Sequence, residues 1–127
     1  MRQALVQALN HTRQRKAFGR TLIEQPLMRS VLADMALESE AALRVAMQLA
    51  DAFGRQGDAA QAWKRIVTPA AKFWVCKRAV EMAGEAMEVF GGNGYVEDGP
   101  MARLFREAPV NSICLSLIHI SEPTRPY

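Results

Sequence analysis

The sequence predicts an all-α protein, an antiparallel helical bundle that is incomplete. Three observations carry this prediction. Apolar residues recur at three- and four-residue spacings over long stretches. No segment alternates apolar and polar residues as a strand would. Glycine and proline fall mainly between the periodic stretches, where they separate a few long helices.

The first helix is expected from Met1 to about Ala17, with Leu5, Ala8 and Leu9 on one face. No capping residue precedes it, as if the chain were entered within a helix. Phe18-Gly19-Arg20-Thr21 forms the connection. Pro26 suits the first turn of a second helix, where its missing N–H costs little. That helix runs to about Phe53. Met28, Leu32, Met35, Ala42, Leu49 and Phe53 form its apolar stripe, widened by Val31, Val45 and Ala46. A stripe this wide implies burial against more than one neighbour. Residues 54–58 turn the chain, with Asp58 as N-cap. The third helix is expected over 59–90, burying Trp63, Ile66, Val67, Ala70, Phe73, Trp74, Val80, Ala83 and Met87. Pro69 should kink or break it near Thr68. Gly91-Gly92-Asn93-Gly94 stops it. A short helix then runs from Pro100 to about Glu107, ended by Pro109.

The chain has 127 residues, half of them apolar and just under a quarter charged. That excludes intrinsic disorder as the main state and suffices for one core. The net charge of +3 is weak grounds for a polyanion partner. No apolar run of about 18 residues exists to cross a membrane, and no secretory signal stands at the start. Two cysteines, Cys76 and Cys114, are too few for a disulfide framework or a four-ligand zinc site, so a cytoplasmic setting is expected. Residues 114–127 lose the helical period and are expected to form a disordered tail. Leu115 to Arg125 reads like a translated sequencing adapter, so Cys114 and His119 receive no role.

Three blocks, in this order, resemble the C-terminal helical domain of the acyl-CoA dehydrogenase family. They are Arg15-Lys16-Ala17-Phe18-Gly19-Arg20, then Ala70-Ala71-Lys72-Phe73, then Glu88-Val89-Phe90-Gly91-Gly92-Asn93-Gly94-Tyr95 followed by Arg106-Glu107-Ala108. The resemblance covers 1–113, a domain expected to be truncated at both ends. Residues 22–28, 68–72 and 109–113 are similar to the AidB-like branch, flavoproteins of the alkylation-damage response, some of which bind DNA.

The resemblance implies a parent that dehydrogenates acyl-CoA thioesters between the α and β carbons, passing hydride to FAD. It also implies a homotetramer in which this domain touches the adenosine diphosphate half of a neighbour's FAD. Arg15, Phe18, Gln25, Glu88, Gly91, Gly92 and Gly94 would make those contacts. Each has a plainer reading as well. Arg15 can offer a planar fork to a pyrophosphate, or be a solvated helix-end arginine. Phe18 can pack on adenine, or belong to the core. The glycines can admit a phosphate or ribose to the backbone, or cap a helix. Two positions depart from the family pattern. Glu88 stands where Gln is usual, and an ionised carboxylate accepts hydrogen bonds but donates none. Pro26 stands at another usual Gln, with Gln25 one place early. The catalytic base, expected in a Trp-Glu-Gly-like continuation beyond Ile113, is absent. The chain alone is therefore expected to be inactive and to hold FAD weakly.

Two other functions compete. One is DNA binding through Arg13, Arg15, Lys16 and Arg20, or through Lys72, Lys77 and Arg78. The other is a purely structural oligomerisation bundle whose apolar stripes associate.

Overall fold

The computed structural model describes the backbone of residues 1–121 and the side chains of 1–113. Helix α1 (Arg2–Gln14) leads into a hairpin of β1 (Lys16–Ala17) and β2 (Arg20–Thr21). A 3-10 turn at Leu22–Glu24 follows, then α2 (Pro26–Gly54), α3 (Asp58–Val89), the single turn α4 (Gly92–Tyr95) and α5 (Pro100–Ser121). The predicted all-α class is the observed one. None of the described helices is long and apolar enough to cross a membrane.

Four helices pack side by side. The short link between α2 and α3 forces them antiparallel, and Glu38 and Arg78 join them by a bidentate ion pair. That pair's hydrogen bonds hold the Glu38 carboxyl below its ordinary range. α5 runs back along α3, so that Phe105 faces Gly84 and Asn111 lies by Val75, Cys76 and Ala79. α1 lies against α2 and α3. The core gathers Ala4 and Ala8 from α1, Leu32 and Met35 from α2, Met82, Ala86 and Val89 from α3, and Met101 from α5. Fully buried Ala8 and Ala86 let α1 and α3 approach closely. Thr12 is also buried, and its hydroxyl donates to the Ala8 carbonyl at 2.9 Å.

Four local expectations need correction. The first helix ends at Gln14, not near Ala17, because Phe18 (φ 53°) and Gly19 (φ 79°) turn the chain into a hairpin. Positive φ at both central residues is the geometry that matches strand twist, and it pairs Lys16 with Thr21 and Ala17 with Arg20. Gly57, not Asp58, caps α3, and Asp58 instead occupies the first turn. α3 does not break at Pro69, and α5 does not end at Pro109. One proline removes a single ladder bond, and packing of α3 along α2 and α5 outweighs that loss. The backbone of 114–121 therefore continues α5, and the remainder of the expected tail, 122–127, lies outside the described residues.

The predicted burial on α2 and α3 holds only in part. Leu32, Met35, Ala42 and Ala83 are buried as expected. Phe53, Trp63, Ile66 and Phe73 are exposed instead, Ile66 by 70% and Phe73 by 58%. Length supplies the reason. α1 has 13 residues and spans about 20 Å, whereas α2 with 29 and α3 with 32 span more than about 40 Å. Among the described side chains, α5 reaches only the level of Val75–Ala79. The distal halves of α2 and α3 form an arm that carries these exposed apolar residues.

Candidate functional site

One end of the bundle collects the C-terminal ends of α1 and α3, the hairpin and the start of α2. Arg15 is fixed there by its backbone. Its N–H donates to the His11 carbonyl at 2.8 Å, and its own carbonyl accepts from the Leu22 N–H at 2.8 Å. This pins the residue where α1 gives way to the hairpin. On α3, the Gly91 N–H donates to the Glu88 carbonyl at 2.8 Å, closing the helix end. Gly91 takes φ 61°, a conformation L side chains rarely adopt, so glycine is needed there to turn the chain.

These two ends form a cleft of about 380 Å³ lined by His11, Arg15, Leu22, Met28, Glu88 and residues 89–93. Arg15 and Glu88 are both exposed, and neither has a side-chain partner among the described residues. Elsewhere Arg44 pairs with Glu40, Arg55 with Asp51, Arg78 with Glu38 and Glu81, Arg103 with Glu107 and Arg106 with Glu97, whereas Arg2, Arg13, Arg20, Arg29 and Arg65, like Arg15, have no ion pair among the described residues. The cleft is thus lined by a cation and an anion that pair neither with each other nor with another described side chain. Its wall carries the His11 ring stacked on Phe90, centroids 4.2 Å apart. Burial, reinforced by the nearby Arg15 charge, holds the His11 pKa below its ordinary value.

Of the residues singled out from sequence, the fold brings Arg15, Glu88, Gly91 and Gly92 to the cleft. Phe18 stands apart at the hairpin tip, 97% exposed, in a left-handed conformation that a bulky residue adopts only at a cost. It is not core. Beside it, Gly19, Arg20, Ile23, Glu24 and Arg29 line a shallow depression. Gln25 turns inward, its side-chain amide donating to the Ala17 carbonyl at 3.4 Å, so it braces the hairpin. The Thr21 N–H donates to the Glu24 carboxylate at 2.9 Å, which holds that carboxyl below its ordinary range. Gly94 is buried. A Cβ there would lie 2.2 Å from the Met87 carbonyl oxygen, so packing of α4 on the end of α3 explains that glycine. Sequence reasoning missed His11 and Asn93. The signal for His11 was its place one turn before Arg15 on the same helix face.

The two basic groups proposed for DNA differ. Arg13, Arg15, Lys16 and Arg20 are exposed. In the second group Arg78 is held by Glu38 and Glu81, so it is no free phosphate contact. Among the described residues, no group of three or more His, Cys, Asp and Glu could hold a metal ion.

A family model described as "Acyl-CoA dehydrogenase, C-terminal domain" matches residues 1–115. AidB of Escherichia coli (strain K12) is 52% identical over 114 residues, covering 89% of this chain and 21% of that protein. Among solved structures, Caenorhabditis elegans ACDH-11 in complex with C11-CoA superposes with a TM-score of 0.84 at 28% identity, over 98% of this chain and 23% of that one. Butyryl-CoA dehydrogenase from Megasphaera elsdenii superposes with a TM-score of 0.78 at 30% identity, over 88% and 28% respectively. The chain spans about a fifth to a quarter of the length of these relatives. The bundle, its motifs in their order and the match across 1–115 agree: this chain belongs to the acyl-CoA dehydrogenase C-terminal domain family.

Proposed function

We propose that this chain is the helical domain of a FAD-dependent acyl-CoA dehydrogenase, and that its cleft holds the adenosine diphosphate half of FAD from a neighbouring subunit. One observation carries the reading: Arg15 and Glu88 line the same cleft and neither is paired. Opposite charges left unpaired in one cleft suit a ligand that is itself bipolar in hydrogen bonding. A nucleotide diphosphate is such a ligand, with acceptor-only phosphates and donor ribose hydroxyls.

The residues fit that group. Arg15 donates two parallel hydrogen bonds to phosphate oxygens. Glu88 accepts from a ribose hydroxyl, which its acceptor-only chemistry allows. Gly91 and Gly92 have no side chain to keep the ligand from the backbone, and a Cβ at either would meet nothing within 4 Å, so the approach is open. Phe18 presents an apolar face for adenine at the hairpin tip. Its backbone strain supports this, because strain persists where surrounding structure holds a residue for a task. The chemistry FAD supplies when bound is acceptance of a hydride from the β carbon of an acyl-CoA. The residues of this chain bind and orient the dinucleotide, and we assign none of them to removing the α proton.

The exposed arm of α2 and α3 fits the subunit interface of a homotetramer, because it leaves the large apolar side chains Met47, Phe53, Trp63, Ile66 and Phe73 exposed. The alternative of an AidB-like DNA-binding flavoprotein draws on the likeness to AidB and on the exposed Arg13, Arg15, Lys16 and Arg20, while Arg78 of the second basic group is already engaged.

The test is a titration of ADP into the isotope-labelled chain, followed by amide NMR. Shifts should concentrate at Gly91, Gly92 and Arg15, and Arg15→Gln should weaken binding by about tenfold, the worth of a charge-assisted contact. Shifts scattered over the surface, or none at millimolar ADP, would overturn the reading.

A further inference from the structure

The cleft contains a carboxylate that a phosphate-binding site has no need of. Glu88 is exposed, lies beside the same space as Arg15 and is unpaired among the described residues. A carboxylate in that place repels any additional phosphate and welcomes a hydroxyl donor. Two ligands of this enzyme class carry adenosine diphosphate. In FAD the adenosine ribose is free at both hydroxyls. In coenzyme A the same ribose bears a 3′-phosphate.

We infer that Glu88 is a specificity residue, making the cleft accept adenosine diphosphate with an unmodified ribose and reject the 3′-phosphorylated form found in coenzyme A. The inference rests on the reading of the cleft as a nucleotide diphosphate site. Arg15 holds the diphosphate, and Glu88 lines the same cleft, within reach of the attached ribose. A free hydroxyl donates to the carboxylate. A phosphate ester in its place brings about two negative charges against one. At about 5 Å in a water-exposed cleft that repulsion amounts to roughly tenfold in affinity, and it is greatest at low salt. The device sorts two nucleotides that share every other adenosine contact. It would keep the coenzyme A end of a substrate out of the cofactor's place.

The experiment compares ADP with adenosine 3′-phosphate 5′-diphosphate, titrated into the full chain at low ionic strength and read at the Gly91 and Gly92 amides. The wild-type chain should favour ADP by about tenfold. Glu88→Gln, isosteric and uncharged, should bring the two ligands within about twofold, chiefly by improving the phosphorylated one. Arg15→Gln should weaken both alike. A preference that survives in Glu88→Gln, or a wild-type chain that binds both ligands equally, would overturn the assignment while leaving the cleft as a nucleotide site. Absence of any ADP shift at Gly91 and Gly92 would remove the nucleotide site itself, and the selectivity with it.

Discussion

The two ends of the bundle expose different chemistry. At the cleft end, the outward-facing features include a strained aromatic, Phe18, and charges without partners, Arg15 and Glu88 among them. At the arm end Arg44 pairs with Glu40 and Arg55 with Asp51, while Asp58 and Arg65 stand exposed without an ion pair among the described residues. Several large apolar side chains stay exposed there as well: Met47, Phe53, Trp63, Ile66 and Phe73. An unmatched charge gains from a polar ligand, whereas a bare apolar stripe gains from another protein surface.

The comparison can be broken most sharply at Gly94. Its Cβ would sit 2.2 Å from the backbone oxygen of Met87, which cannot yield as a flexible side chain would. Gly94→Ala should destabilise the chain by roughly 3 kcal/mol, seen in urea unfolding, and should disorder the cleft end first. Gly92→Ala next door meets open space and should cost far less. Equal losses at the two positions would deny that α4 is packed rigidly on α3.

At the arm, Trp63→Lys with Phe73→Lys should leave the helix content intact and abolish self-association. Two large apolar side chains withheld from an interface weaken it by roughly a hundredfold or more. Light scattering on the wild-type chain should show association, and the double variant should be monomeric. A wild-type monomer would sink the reading of the arm as an assembly surface.

A smaller and more informative effect is expected at Phe18. Asn tolerates positive φ and forms the favoured Asn-Gly turn, so Phe18→Asn should stabilise the fold by about 1 kcal/mol. The same change should weaken ADP binding several-fold, because the aromatic face is lost. Thermal unfolding and the ADP titration together would show a gain in stability with a loss in binding. Stability falling along with binding would mean that Phe18 serves the fold rather than a ligand.

Much of this was legible in the residues. The long helices followed from their apolar period, and Pro26 marked the first turn of α2 as read. The Arg15 and Gly91–Gly92 segments were singled out from a family likeness, and the fold then brought them to one cleft. The errors have a common origin. Pro69 and Pro109 read as breaks because local propensity opposes a helix there, yet packing along neighbouring helices keeps both helices intact. Phe18 could not be read as strained, since a single bulky residue at positive φ is fixed by the hairpin around it.

The sequence by itself determined which segments are helical and which faces are apolar, because both depend on spacing along one chain. Only the tertiary structure decided which apolar faces are covered and which charges are left without partners. Those depend on the reach of one helix over another. Beyond the reach of the short α1, the long α2 and α3 keep large apolar residues exposed, and the meeting of the α1 and α3 ends sets Arg15 and Glu88, 73 positions apart in the chain, on one cleft.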